Sequence, residues 1–476
     1  MSRVVEQIDT VLAEDLPPGW SLATIEDLVG VDGVFVDGDW VESKDQDPTG
    51  HVRLIQLADI GDGEYRNKSD RFLTNEKALE LGCTFLMRGD VLIARMPDPL
   101  GRACIFPGDP KKSVTVVDIA IVRSGNGEFN HRWLMYFINA PVFRTTVASL
   151  QSGSTRKRIS RGNLARLALP VPPREQQDSI VAEIEKQFSR LDEAVANLKR
   201  VKANLKRYKA AVLKAAVEGK LTEDWRKQHP GIEPASKLLE RILAERRAKW
   251  SGKAKCKEPV SADTSKLPAL PERWAWCITD ALFSYVTSGS RGWAQHYSVE
   301  GPLFLRIGNL DHDSIRLDLR DIQRVKPPEE TEGTRTKVEE GDILVSITAD
   351  VGMIAVAPPS LGEAYINQHV ALARPVSGIC REYLAWYLAA RDGGQKEFRR
   401  LQRGATKVGL GLDDIRAVPV PLPSLAEQQQ IVAEVERRLS VLEELDVAVQ
   451  ANLTRADRLR QSVLAQAFSG GLIRVQ

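Results

Sequence analysis

The sequence is short of the features that mark secreted, membrane-spanning and catalytic chains. Its 476 residues hold no run of about 18 apolar residues, so no spanning helix and no membrane partner are expected. The opening stretch, MSRVVEQIDTVLAEDL, is acidic and amphipathic, unlike a signal peptide. Five cysteines (Cys83, Cys104, Cys256, Cys277, Cys380) are scattered and form no C-x-x-C pair. That argues against structural zinc and a disulfide framework, and for a reducing, cytoplasmic setting. There is no G-x-x-x-x-G-K-[ST] loop, so no P-loop ATPase is signalled. An Asn-Pro-Pro-aromatic motif of adenine methyltransferases is missing, as are His-x-x-x-His and His-Glu-x-x-His. Pro97-Asp98 followed by Asp109-Pro110-Lys111 loosely fits a magnesium-dependent nuclease. Pro110 would break the strand such a site needs, and Gly108-Asp109-Pro110 reads better as a turn. No catalytic residue and no metal ligand is assigned.

What is present is a chain long enough for two to four domains, with a concealed charge asymmetry. Residues 151–260 carry 26 Lys and Arg against 13 Asp and Glu, an excess of 13. The whole chain is +2, so the remainder carries −11. A basic centre in a near-neutral chain hints at nucleic acid.

The chain also repeats itself. Displaced by 251 residues, Pro170 and Pro172 fall on Pro421 and Pro423, and Ile180 to Glu183 fall on Ile431 to Glu434. The same displacement matches Val212 and Leu213 to Val463 and Leu464, Gly219 to Gly470, and Leu221 to Leu472. Upstream, LPPGW (Leu16 to Trp20) answers LPERW (Leu270 to Trp274), and RGDVLIAR (from Arg88) answers EGDILVSI (from Glu340). DIAIVR (from Asp118) answers HVALAR (from His369), and SGSTRKRIS (from Ser152) answers RGATKVGLG (from Arg403). Each half is a variable block followed by a helical block, and both helical blocks open on proline-rich sequence.

Within the first helical block, Ile184, Leu191, Leu198, Leu205 and Val212 recur every seven residues, with Phe188 and Val195 on the second seam. The second block places Val435, Leu442, Val449, Ala456 and Val463 in the same register, with Leu439 and Leu453 on the second seam. Asp446 and Arg460 are its polar exceptions. Such 3–4 spacing over about five heptads predicts a coiled-coil seam. Each helix should run for roughly 65 Å. Two seams in one chain most simply pair with each other. Equivalence of the halves calls for antiparallel pairing about a pseudo-twofold, with the variable blocks at opposite ends. The alternative is that each helix packs only on its own domain.

The variable blocks read as mixed α/β. DVLIAR, VTVVDIAIV, GDILVSIT and HVALA are β-rich, and Arg132 to Leu150 and Glu382 to Leu401 are helical. Between the halves, ASKLLERILAERRAKW can be helical, flanked by linker sequence ending in KLPALP. The expected fold is α+β: two α/β domains joined by two long helices in an antiparallel coiled coil, an internal duplication. The expected boundaries are 1–172 (first variable domain), 173–222 (first helical region), 223–268 (charged helical linker), 269–423 (second variable domain) and 424–476 (second helical region).

The proline-rich leads, the EQQ and IVAE segments, the heptad helices, the closing glycines and the GDVL/GDIL pair together resemble the specificity subunit of type I restriction–modification enzymes. The resemblance covers nearly the whole chain. One departure is that Arg174-Glu175 stands where the second block has Leu425-Ala426. The resemblance implies two target-recognition domains, each reading one half of a bipartite, asymmetric double-stranded DNA site, with the helices setting the spacer. It also implies two methyltransferase subunits docked on the helices, and restriction/translocase subunits in the full complex. S-adenosylmethionine, ATP and magnesium would then belong to those partners, with no cofactor and no catalysis in this chain. A coiled-coil adaptor that binds proteins without recognising DNA is the competing reading.

Base edges and phosphates favour small polar, basic and amide side chains. In the first domain the candidates are Ser154, Thr155, Arg156, Lys157 and Arg158, with Arg95 at the end of a strand. In the second they are Ser290, Arg291, Trp293, Arg306, Asn309, Thr348, Thr406 and Lys407.

Overall fold

The computed structural model describes residues 16–97, 99–125, 129–153, 157–249, 258–289, 291–327, 331–402 and 409–472. The chain divides into two compact units, residues 1–199 with 450–476, and residues 200–449. Among the described residues no helix is long and apolar enough to cross a membrane.

The first unit holds a four-stranded antiparallel sheet in the order Val34–Asp37, Ile119–Arg123, Val91–Ala94, Ala103–Ile105. Beside it lies a three-stranded sheet in which Val52–Ile55 pairs antiparallel with Phe72–Leu73 and parallel with Ser113–Thr115. A two-stranded ribbon, Ser21–Ala23 with Leu169–Val171, closes the unit. The second unit repeats this plan. Its four-stranded sheet runs Phe283–Ser288, Val370–Pro375, Ile343–Ser346, Ile354–Val356. Tyr297–Leu305 pairs antiparallel with Gln323–Val325 and parallel with Ala364–Ile366, and Ala275–Ile278 forms the ribbon with Pro419–Leu422. Pro170 and Pro421 sit in these ribbons, where both strands are edges and a missing N–H costs little.

Both faces of each large sheet are buried, so the period-two alternation sorts residues between two cores. Val91, Ile93, Ala120 and Val122 pack on Trp133, Phe137 and Ile138, while Leu92, Ala94, Ile119 and Ile121 pack on Ile55, Ile60 and Phe106. Ile343, Val345, Ala371 and Ala373 face Leu384 and Leu388, while Leu344, Val370 and Leu372 face Leu303, Leu305 and Ile366.

The GDVL/GDIL pair has a mechanical reason. Gly89 and Gly341 take φ of +99° and +82°, which turn the chain into the strand. Asp90, 1% exposed, then accepts from the Met87 amide at 2.8 Å and from Arg123 Nε and Nη2 at 2.7 and 2.6 Å. Asp342, fully buried, accepts from the Glu339 amide at 2.7 Å and from Arg374 at 2.8 and 2.9 Å. The arginines are those that end DIAIVR and HVALAR.

Three expectations change. VTVVDIAIV is not one strand: Ser113–Thr115 and Ile119–Arg123 belong to different sheets, with a turn at Val116–Asp118 between them. The segment from Arg132 breaks into His131–Asn139 and Pro141–Ser149, because Pro141 ends one helix and starts the next. Likewise the segment from Glu382 breaks at Ala390 into Arg381–Ala389 and Gly394–Leu401.

The long helices are Arg174–Val217 and Leu425–Phe468, 44 residues each. In the first unit the start of one meets the end of the other: Ile180, Val181 and Ile184 pack with Val463, Leu464, Ala467 and Phe468. In the second unit the roles reverse, and Val212 and Ala216 pack with Ile431, Val432, Val435, Leu439 and Leu442. Within each unit the pairing is therefore antiparallel. Ile184, Val212, Val435, Leu439, Leu442, Val449, Ala456 and Val463 are buried. Phe188, Leu191, Val195, Leu198, Leu205 and Leu453 are half-buried. The polar exception Arg460 is accommodated by Asp192, with which it pairs, and by the Phe188 ring, 4.7 Å from its guanidinium. The helix ends serve twice, because Ile180 and Ile184 also line the Trp133–Phe137 core of their own domain.

The EQQ segments join helix to domain. Gln177, 2% exposed, accepts from the Asn130 amide at 2.8 Å and donates to Pro172 O at 3.0 Å. Gln428, fully buried, accepts from the Cys380 amide at 2.9 Å and donates to Pro423 O at 3.0 Å. The linker is less free than its composition suggests. Its helix Ala235–Ala248 buries Ala235, Leu238 and Ile242 in the second unit's core, and a short helix, Glu223–Gln228, precedes it.

Gln428→Ala leaves a buried amide and a buried carbonyl unpaired at once. It should lower the stability of the second unit by about 2 kcal/mol, read from urea unfolding followed by circular dichroism.

Candidate nucleic-acid interface

In each domain a central strand of the large sheet ends beside described residues that flank the basic loop singled out from sequence. In the first, the Ile159 amide donates to Arg95 O at 3.1 Å, while Arg95 Nη1 donates back to Ile159 O at 3.3 Å. Ser152 and Arg158 exchange backbone hydrogen bonds at 2.9 Å, which closes the neck of the loop. Ser154, Thr155 and Arg156 lie outside the described residues, whereas Lys157 and Arg158 are exposed. Arg95 is largely committed elsewhere: Nη2 donates to Val117 O at 2.5 Å and Nε pairs with Asp37 at 3.0 Å. Burial pushes the Asp37 carboxyl up, and the cations Arg95 and Arg161 oppose this.

The second domain copies this frame with different side chains. The Leu410 amide donates to Ile347 O at 2.9 Å, and Thr348 bridges to Gly409. Thr406 and Lys407 lie outside the described residues. Thr348 Oγ1 is 2.6 Å from His369 Nδ1, and Gln368 Nε2 is 3.1 Å from His369 Nε2. If the Gln368 amide donates to Nε2, the ring proton sits on Nδ1 and points at Thr348. Ala349, next in the chain, holds a positive φ of 59°, a conformation an alanine adopts only under constraint.

Arg306 is brought to this same edge. The Asn367 amide donates to Leu305 O at 3.0 Å, which puts Arg306 beside Gln368 and His369. Its Nη2 lies 3.3 Å from Asp321. Asn309 is 2% exposed and saturated: it accepts from the Arg306 amide at 2.9 Å and donates to Asp318 O and Asp321 O at 2.8 and 2.9 Å. Trp293, 3% exposed, lies nearly parallel to Phe304 with ring centres 5.5 Å apart, and 5.4 Å from Tyr365. Both side chains are held within the fold. Arg291 is exposed, and Ser290 lies outside the described residues.

Four residues escaped the sequence reading: Gln56, Arg161, Gln368 and His369. Gln56 occupies in the first domain the place of Arg306. Its backbone amide donates to Asp59 Oδ2 at 2.8 Å, and the residue lines a hollow of about 580 Å³ with Trp40, Gln46 and Asp118. The signal was there, since LIQLADI and FLRIGNL are the same strand and turn. Asp109, the doubtful nuclease acid, pairs with Arg53 at 3.1 Å, and Asp98 lies outside the described residues. Among the described residues no cluster of acids, histidines and cysteines could hold a metal.

Known proteins share this construction. The family of the type I restriction modification DNA specificity domain matches residues 325–444. The EcoBI specificity subunit of Escherichia coli is 25% identical over 354 residues, 72% of this chain and 66% of that one. The Escherichia coli EcoEI specificity subunit is 22% identical over 518 residues, 94% of this chain and 83% of its own. In sequence the chain is thus similar to the specificity subunits of type I restriction–modification enzymes. A chain solved in a study of assembly and conformational transition of the type I R-M system shares the fold, with a TM-score of 0.64 at 19% identity. That likeness covers 96% of this chain and 99% of the other. Measured against EcoBI, the matched stretch is just under two thirds of the relative's length.

Trp293→Leu removes the centre of the Phe304–Tyr365 cluster. It should destabilise the second unit by about 2–4 kcal/mol, read by thermal unfolding. If Trp293 instead served only as a platform for a base, stability would be unchanged.

Proposed function

We propose that this chain is the specificity subunit of a type I restriction–modification enzyme and reads a bipartite, asymmetric site in double-stranded DNA, one half-site per recognition domain. The observation that carries the reading is the combination of one repeated frame with divergent side chains at its edge. Gln56 stands against Arg306, and Asp118 against His369, on strands and turns otherwise alike. A frame kept twice with its edge changed suits two different half-sites. Amide and guanidinium groups suit bidentate contacts to adenine and guanine, and exposed lysine and arginine suit phosphates.

The recognition domains are residues 1–172 and 269–423, with helical regions 173–222 and 424–476 and the linker 223–268. The paired helices act as a ruler for the unread spacer. Two weak heads on a stiff spacer gain affinity through effective concentration, and lose it when the spacing is wrong. The helices also dock two methyltransferase subunits, and restriction/translocase subunits join the full complex. Methyl transfer, ATP use and DNA cleavage take place on those subunits, which hold S-adenosylmethionine, ATP and magnesium. This chain's own work is to bind, orient and space.

Two measurements test the reading. Lys157→Ala with Arg158→Ala should lower the dependence of log K on log salt by about two, roughly one per lost phosphate contact. An unchanged slope removes the loop from the interface. Deleting the heptad Ala203–Lys209 together with its facing heptad Arg438–Glu444 shortens each helix by about 10 Å. The preferred spacer should then fall by roughly three base pairs at about 3.4 Å per pair, read by selection from duplexes with graded spacers. The same preference before and after deletion would sink the ruler.

A further inference from the structure

Each unit ends one long helix in an equivalent corner of its own, and the two corners are finished differently. In the second unit the first long helix stops at Gly219 (φ +71°), so close to Pro271 that a Cβ would meet its Cγ at 2.7 Å. Trp274 Nε1 donates to Glu427 at 2.9 Å. Arg226 fills this corner. It pairs with Glu427, donates to Gly219 O at 2.9 Å, and holds its guanidinium 5.7 Å from the Trp274 ring. Thr222 adds a hydrogen bond to Glu427 at 2.8 Å.

In the first unit the second long helix stops at Gly470 (φ +76°), where a Cβ would meet Pro17 Cγ at 2.6 Å. Trp20 Nε1 donates to Gln176 at 3.0 Å. Here the corner is a cavity of about 150 Å³ walled by Pro17, Trp20, Gln176, Ile180, Ala467 and Gly470, with Ser179 on its rim. Each wall residue has its counterpart in Pro271, Trp274, Glu427, Ile431, Ala216 and Gly219, and Glu427 alone changes type.

We propose that this cavity is a docking site for an arginine side chain presented by another protein chain. The corner offers what Arg226 uses in the second unit: an indole face, a carbonyl at the negative end of a helix, and a side-chain oxygen. A planar guanidinium can stack on Trp20 while donating to Gly470 O and to Gln176 Oε1. Gln176 is neutral where Glu427 is charged. The first corner therefore lacks the buried counter-charge that fixes Arg226 in place, and this suits an occupant that arrives and leaves.

The test uses the full chain and a blocked peptide copy of Leu221–Pro230, LTEDWRKQHP, titrated by calorimetry. One peptide should bind per chain. Gln176→Glu should tighten binding about tenfold by making the hydrogen bond charge-assisted. Arginine-to-alanine in the peptide should abolish binding. Ser179→Met, an exposed change that fills the cavity from its rim, should abolish binding without moving the melting temperature. Failure of both the wild type and Gln176→Glu to bind overturns the proposal, as does binding that survives Ser179→Met. Arg3→Ala or Arg474→Ala variants that bind the peptide more tightly would also overturn it, since the chain's own arginine would then be the occupant.

Discussion

Each long helix buries an apolar stripe against the other helix and its own domain, and the rest of the structure depends on that constraint. Within the first unit Ile184 and Val463 are covered together, and within the second Val212 and Val435. Each such side chain contributes about 1.5–3 kcal/mol when fully buried. The same stripe is built into the domains, because Ile180, Ile184 and Phe468 share a core with Trp133 and Phe137. In the second unit Ile431 and Val435 share one with Trp274 and Tyr383. A domain that owns part of the seam cannot swivel on its helix without opening its own core.

Buried polar groups sharpen this attachment. Gln177 and Gln428 each tie a helix start to the first turn of a domain helix, and each also satisfies a carbonyl of the proline-rich lead. Asp90 with Arg123 and Asp342 with Arg374 lock the turn that enters the central strand to its neighbour. These groups are saturated, so a substitution at any of them strands a buried partner. Their repetition explains why short motifs persist in both halves while the edges between them differ. Rigidity in the frame leaves the edges free to vary.

Much of this was legible because it obeys a period. The seven-residue spacing picked out the buried stripe, and the displacement of 251 residues picked out the repeat. The interruptions were harder to read. VTVVDIAIV carries the apolar character of one strand, yet three of its residues make a turn between two sheets, which composition cannot report. Pro141 splits a helix that its amphipathic pattern would continue. At the candidate interface the exposed basic loop was visible as charge. Gln368 and His369 were not, because His369 meets Thr348, 21 residues away in sequence, and Gln368 meets the other side of the same ring. Trp293 and Asn309 drew notice for side chains that recognise bases, and the fold holds both inside.

The sequence by itself determined the duplication, the two helices and the antiparallel sense of their pairing, since these follow from local periodicity and from equivalence of the halves. Only the tertiary structure decided which side chains share an edge and which are spent on the fold. Arg306 and Gln368 lie 62 positions apart, and a parallel strand pair, Leu303–Leu305 with Ala364–Ile366, carries both to one end of a sheet. Long-range pairing of that kind depends on how two sheets stack and turn, and no local pattern encodes it.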